Sequence, residues 1–315
     1  MIRFDLSIAL DYAVQSSTDF VFVVQPTNTP YQRVTWESLG VNPDVPVECE
    51  VHGSPGNRHI RVHAEPGPFE LRYDAIVDLV HHLALPDDLR EVPIAEMPAS
   101  VIQYIYPSRY CQSDQMLELA RREFGALEPG YARVEAIRQW VQDRTRFQVG
   151  SSHVGTSALD TYTCGTGVCR DFAHLMIAMC RALNIPARLA TGVDYGADPA
   201  LGPTDFHCYV EAFLGDRWYI FDPSGISPRM GLIRIGTGRD ASDVSFATIF
   251  GTVQWNMPKI SIRAEGDLVN GIAPPVRHDY AVSTDSALAE PDEAVTQLQA
   301  PGGIMQGATP SVPAG

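Results

Sequence analysis

Gly167-Val168-Cys169-Arg170-Asp171-Phe172-Ala173-His174-Leu175-Met176 is the stretch from which the rest of the chain is best read. Phe172, Leu175, Met176, Met179, Cys180 and Leu183 recur in steps of three and four, the spacing of one buried helix face. The period predicts a helix that starts at or near Cys169 and ends near Asn184, because Ile185-Pro186 cannot continue it. Cys169 lies outside the apolar stripe, at the helix start. There the unpaired N–H groups and the positive end of the helix dipole favour an anion, so the thiol is expected to ionise below its usual pKa. A helix-start cysteine alone is more often structural than reactive, so its partners must be sought elsewhere.

Two of them lie downstream. In Asp205-Phe206-His207-Cys208-Tyr209-Val210-Glu211 the apolar parity is Phe206, Cys208, Val210, Ala212 and Leu214, which turns His207 to the opposite sheet face. Gly215-Asp216 is a hairpin signal that pairs Leu214 with Arg217. Stepping along that register sets His207 against Ser224 and Tyr209 against Asp222. Asp222 is then a same-face diagonal neighbour of His207, roughly 7–8 Å away at the backbone and within reach of an imidazole. A slip of one residue would put the two on opposite faces.

Composition narrows the rest. The 315 residues suffice for two domains, and 45% hydrophobic with 19% charged residues describes an ordinary folded protein. A formal net charge of -15 argues against nucleic acid or an anionic membrane as partner. The start Met1-Ile2-Arg3-Phe4-Asp5 has no apolar signal-type core, and six scattered cysteines read as reduced thiols; a cytoplasmic location is expected.

The first part alternates with period two: Ile2 to Leu10, then Val45 to Val51, Ile60 to Ala64 and Phe69 to Val77, with a short apolar strand at Phe20–Val24. Ser54-Pro55-Gly56-Asn57 reads as a turn between two of these strands. This predicts an all-β sandwich over residues 1–83, with His52, His59 and His63 as exposed-face histidines. Residues 84–112, rich in proline and acid, read as a connector. A helix capped by Ser113 and ended at Gly125, and another carrying Val134, Ile137, Trp140 and Val141, open a second unit over 113–265. Helices followed by strands make that unit α+β with an antiparallel sheet. Residues 266–315 read as a low-complexity tail, disordered from about 275.

The segments around Cys169, Asp205-Phe206-His207, Trp218 through Phe221-Asp222-Pro223 and Gly238-Arg239-Asp240-Ala241-Ser242-Asp243 together resemble the bacterial transglutaminase-like superfamily, in order and in spacing. The preceding β domain is similar to the N-terminal region that accompanies this catalytic domain. The resemblance implies a papain-like core in which Cys169 is the nucleophile, His207 the general base and acid, and Asp222 the group that orients the imidazole. Position 208 departs from the family's small residue. Cys208 is expected to face away from His207 and leave the triad untouched.

The implied chemistry is thiol attack on an amide and a thioester intermediate, on a peptide or protein substrate, with no cofactor and no metal. Hydrolysis of a peptide or isopeptide amide ranks first. Transfer or deamidation of a glutamine acyl group is the alternative, and a peptide-binding module without turnover the second alternative. A metal set of Cys164, Cys169, His174, His207 and Cys208 lacks a familiar zinc spacing. His174 reads as a packing or helix-surface histidine, Cys180 as core, and Cys164 as a loop residue rather than a redox partner. Arg170, Asp171 and the 238–243 loop read as support for the site.

Overall fold

In this computed structural model the described residues are 1–52, 56–197 and 203–288, so Ser54 and Pro55 of the Ser54–Asn57 turn lie outside them. The chain opens with strands β1 (Ile2–Val14), β2 (Thr18–Phe22), β3 (Gln32–Asn42), β4 (Val47–His52), β5 (Asn57–Ala64) and β6 (Gly67–Leu79). The alternation of β1 sends Phe4, Leu6, Ile8 and Leu10 inward, all buried, against Phe69, Leu71, Tyr73 and Ala75 of β6. Between the two sheets the rings of Phe20, Phe22 and Phe69 stack, Phe20 on Phe69 at 5.1 Å between centroids. Side chains of this size contribute about 1.5–3 kcal/mol each on burial, so this aromatic layer adds to the core that holds the two sheets together.

Strand β3 was not expected from its residues. A bulge between Val34 and Trp36 shifts its register on β6, so Val34 and Val41, of opposite parity, both pack on the same core. Trp36 is left 53% exposed. His63, on an exposed strand face, is bonded by Asp19 at 2.7 Å.

Next come β7 (His82–Ala84), helix α1 (Ala99–Ile102), α2 (Leu117–Phe124), α3 (Tyr131–Arg144), β8 (Arg146–Phe147), α4 (Ala158–Cys164), β9 (Thr166–Gly167) and α5 (Cys169–Ala182). Strands β10 (Ala187–Asp194), β11 (Phe206–Leu214), β12 (Arg217–Phe221) and β13 (Leu232–Gly238) form an antiparallel sheet in the order β12-β11-β10-β13. Helix α5 packs on one face of it, through Val210, Ala212 and Leu214 of β11. The connector folds onto the other face, where Met97, Val101 and Tyr104 meet Phe213 and Trp218.

The helix is buried all round, not along one stripe: every residue from Asp171 to Ala182 is buried. Its polar side chains are therefore bonded inside the protein, with His174 Nδ1 the nitrogen left without a partner among the described residues. The Arg181 guanidinium donates to the carbonyls of Ala187 (3.0 Å), Tyr106 (3.1 Å) and Arg239. His174 stacks on Tyr110 at 5.0 Å and accepts from the Ala241 N–H at 3.2 Å, and burial lowers its pKa to about 3.

Two expectations need correction. Residues 247–265, read as part of the second unit, instead complete the first. β14 (Ala247–Phe250) pairs with β2, while β15 (Val253–Trp255) and β16 (Lys259–Glu265) pair with β1, so the two sandwich sheets run β15-β1-β6-β3 and β14-β2-β5-β4. The predicted loss of order from about 275 also fails for residues up to 288; the rest of that tail lies outside the described residues. Strand β17 (Ala281–Ser283) pairs with β7, and Asp285 enters a buried ion cluster. Arg188 bonds Glu211 and Asp285, each at 2.6 Å, and Arg234 bonds Glu211 at 2.9 Å and Asp285 at 3.3 Å. Two buried guanidiniums require two carboxylates, and the local sequence supplied only Glu211.

Burial opposes the charge of Asp285, and the two arginines outweigh it, holding its pKa at about 2. A depressed carboxylate pKa adds stability above the unfolded-state value that is lost as pH falls through the folded one. Asp285→Asn is therefore expected to lower stability near neutral pH by about 2 kcal/mol and to flatten the loss of stability between about pH 4 and 2. Urea unfolding across that range measures both.

Candidate active site

The site is built where the start of α5 meets the first residues of β11. Val168 caps the helix in extended backbone, and its N–H donates to Asp171 Oδ2 at 2.9 Å. Asp171 Oδ1 accepts from Ser152 Oγ at 3.0 Å, and Arg170 donates to the same hydroxyl at 2.6 Å and to the His153 carbonyl at 2.9 Å. Arg170 and Asp171 thus tie the loop after β8 to the helix start. A Cβ on Gly167 would come within 2.7 Å of the Asp171 Cβ, so only glycine lets the chain turn in beneath this carboxylate. Cys169 emerges half-buried as the first helical residue, with its own N–H among those the helix leaves unpaired.

The hairpin register holds. Leu214 pairs with Arg217 and Val210 with Phe221, and Gly215 turns with φ 60°. The continuation beyond Phe221 brings Asp222 to His207, Oδ1 to Nε2 at 3.3 Å, and both side chains are buried. Nε2 faces the carboxylate, which leaves Nδ1 as the other nitrogen of the ring.

Asp222 is itself held. Oδ1 accepts from the Ser224 N–H at 2.9 Å and from its Oγ at 2.6 Å, and Oδ2 accepts from the Ser227 N–H at 3.0 Å. Ser224 was placed opposite His207 but not on Asp222, and Ser227 was not singled out. The signal was present as Asp222-Pro223-Ser224, whose aspartate can bond the backbone two residues on. Burial raises the pKa of Asp222, but the His207 charge and these bonds lower it further, and the net direction is down. For His207, burial opposes the imidazolium; the charge and hydrogen bond of Asp222, helped by Cys169, outweigh it and raise the pKa well above the usual value.

Cys169 departs from expectation. Its pKa is raised, not lowered: the hydrogen bond with Cys208 comes first and burial second, and His207 pulls the other way. Cys208 does alternate with His207 and packs with the α5 core, as the strand pattern predicts. That face is the one against which α5 packs, so the residue expected to be a bystander acts on the thiol. Cys164 is the last residue of α4 and exposed, not part of a loop.

The 238–243 loop supports from behind. Asp240 accepts from the Tyr110 N–H and the Ser242 N–H, both at 2.9 Å, and hydrogen bonds led by Ser108 overcome burial to hold its pKa at about 2. It fastens the connector to the loop that caps His174.

Residues 118–223 match the transglutaminase-like superfamily, and residues 2–100 match the bacterial transglutaminase N-terminal domain. A crystal structure from Cytophaga hutchinsonii, provisionally described as a cysteine protease, is 37% identical at a TM-score of 0.83, covering 90% of this chain and 97% of that one. An uncharacterized protein of Mycobacterium leprae is 33% identical over 123 residues; the match takes in 38% of this chain and 43% of that relative's length. The chain belongs to the transglutaminase-like superfamily and carries its bacterial N-terminal domain.

Alkylation needs the thiolate, and the leading cause of the raised Cys169 pKa is Cys208. Cys208→Ala is therefore expected to move the pH midpoint of Cys169 alkylation downward and to quicken labelling several-fold at mildly acidic pH. Iodoacetamide labelling mapped by mass spectrometry reads this directly.

Proposed function

We propose that this chain is a thiol-dependent amide hydrolase acting on peptide or isopeptide bonds, with Cys169 as nucleophile, His207 as general base and acid, and Asp222 as the orienting carboxylate. The observation that carries the reading is the buried His207–Asp222 pair, 3.3 Å apart, whose free imidazole edge is coupled to a helix-start thiol. The 37% identity to the Cytophaga protein, spanning 97% of it, supports the same chemistry.

In the first step the Cys169 proton passes to His207 Nδ1 as the sulfur attacks the amide carbonyl. The carbonyl oxygen gathers charge within reach of the Cys169 N–H, a donor the helix leaves free. The C–N bond breaks as His207 returns the proton to the departing amine, leaving a thioester. Water then gives its proton to His207 and its oxygen to the acyl carbon, and the thiol re-forms as the acid leaves. Asp222 fixes the ring and stabilises the imidazolium in both halves. Asp222 favours the imidazolium that forms when His207 takes the thiol proton, which draws that transfer forward.

The test uses glutamine-containing peptides with and without a labelled amine. Chain cleavage, abolished in Cys169→Ala and reduced about 10²–10⁴-fold in Asp222→Asn, is the expected result. Incorporation of label identifies acyl transfer, and ammonia release without label identifies deamidation. No turnover, with Cys169 labelled no faster in native protein than exposed Cys49 and Cys164, overturns the reading in favour of a binding module.

A further inference from the structure

On the sheet face occupied by His207, a second carboxylate stands where the proposed mechanism makes no use of it. Asp194, at the end of β10, is 4% exposed, and Tyr209, two residues after His207 on β11, is fully buried. The Tyr209 hydroxyl donates to Asp194 Oδ2 at 3.0 Å. The Tyr209 ring lies beside the His207 ring, edge-on, with centroids 4.6 Å apart and planes at 76°. The imidazole is thus gripped along one edge by Asp222 and on its side by a phenol whose far end is tied to Asp194. A rigid aromatic anchored at both ends suits the fixing of a ring plane, and a phenol in mid-sheet would not need a charged partner for packing alone.

We propose that Asp194, through Tyr209, is a positioning residue for His207: the pair fixes the ring plane and places a second negative charge behind the imidazolium. This rests on the reading of His207 as general base. Among the described residues, the groups that act on His207 come from four directions. Asp222 approaches from the segment after β12, with Ser224 Oγ 3.4 Å from Nε2. Cys169 approaches from α5, Tyr209 from β11 itself and Asp194 from β10, and Asp205 precedes β11.

Burial outweighs the rest and raises the pKa of Asp194, while the His207 charge, first among the opposing effects, pulls it down, the coupling expected of a carboxylate that faces an imidazolium. A charge so placed stabilises the protonated ring through each proton transfer without taking part in one. Asparagine keeps the shape and the acceptor oxygen but removes the charge.

The experiment follows the rate of Cys169 carboxamidomethylation against pH in the full chain. A cysteine–histidine pair gives a two-step profile, and the upper step belongs to loss of the imidazolium proton. In Asp194→Asn that upper step is expected to move down by about one pH unit. Tyr209→Phe, which keeps the ring but releases Asp194, is expected to move it the same way by less. An upper step that vanishes in His207→Ala, yet stays fixed in both other variants, overturns the positioning role, whatever happens to their melting temperatures. An upper step that survives His207→Ala unchanged overturns the underlying reading of His207 instead.

Discussion

A helix without a solvent face is the constraint on which this molecule rests. From Asp171 to Ala182 nothing on α5 reaches water, so each polar side chain on it must find its partners inside the protein. Arg181 draws together three carbonyls from the connector, β10 and the 238–243 loop, His174 holds the same loop from two turns earlier, and Asp171 holds the cap and the loop after β8. These bonds fix the axial position of the helix, and the axial position decides where its first residue, Cys169, emerges. The candidate nucleophile is located by groups that never approach it.

A second chain of constraints locates the histidine. The Gly215 turn sets the β11–β12 register, the register delivers Asp222 to His207, and the two serines after it hold the carboxylate in plane. The two chains meet at one point because α5 and β11 pack face to face. The same packing explains Cys208: a residue that points into the helix-facing side of the strand next to His207 has nowhere to go but toward the helix start.

Local rules made much of this legible. The hairpin arithmetic rests on one glycine turn and period-two alternation, both local, and the His207–Asp222 proximity followed without a fold. The start of α5 was equally plain. What the residues hid was non-local or irregular. The bulge in β3 breaks the parity that marks a strand, so Val34 and Val41 look out of phase until the extra residue is known. A stripe of Phe172, Leu175 and Met179 announces one buried face, but nothing in it says that Arg181 and His174 are buried as well. Asp285 sits in a stretch whose composition reads as unable to pack, and its place is set by two arginines from β10 and β13 that lack a second carboxylate. The influence of Cys208 on Cys169 needed the depth at which the helix sits on the sheet.

The return of β14, β15 and β16 to the sandwich has a further meaning for how the polypeptide comes into being. Arg3 pairs with Glu265, so the middle of the chain, with the whole candidate site, is an insertion between strands of a domain begun earlier and finished later. During synthesis β1 must wait for its edge partner while the helices and the β10–β13 sheet are made. An unpaired edge of this length is a template for association with other chains. The molecule is thus sewn shut from its far end, and a fragment cut at the apparent domain boundary would leave each half with an open seam.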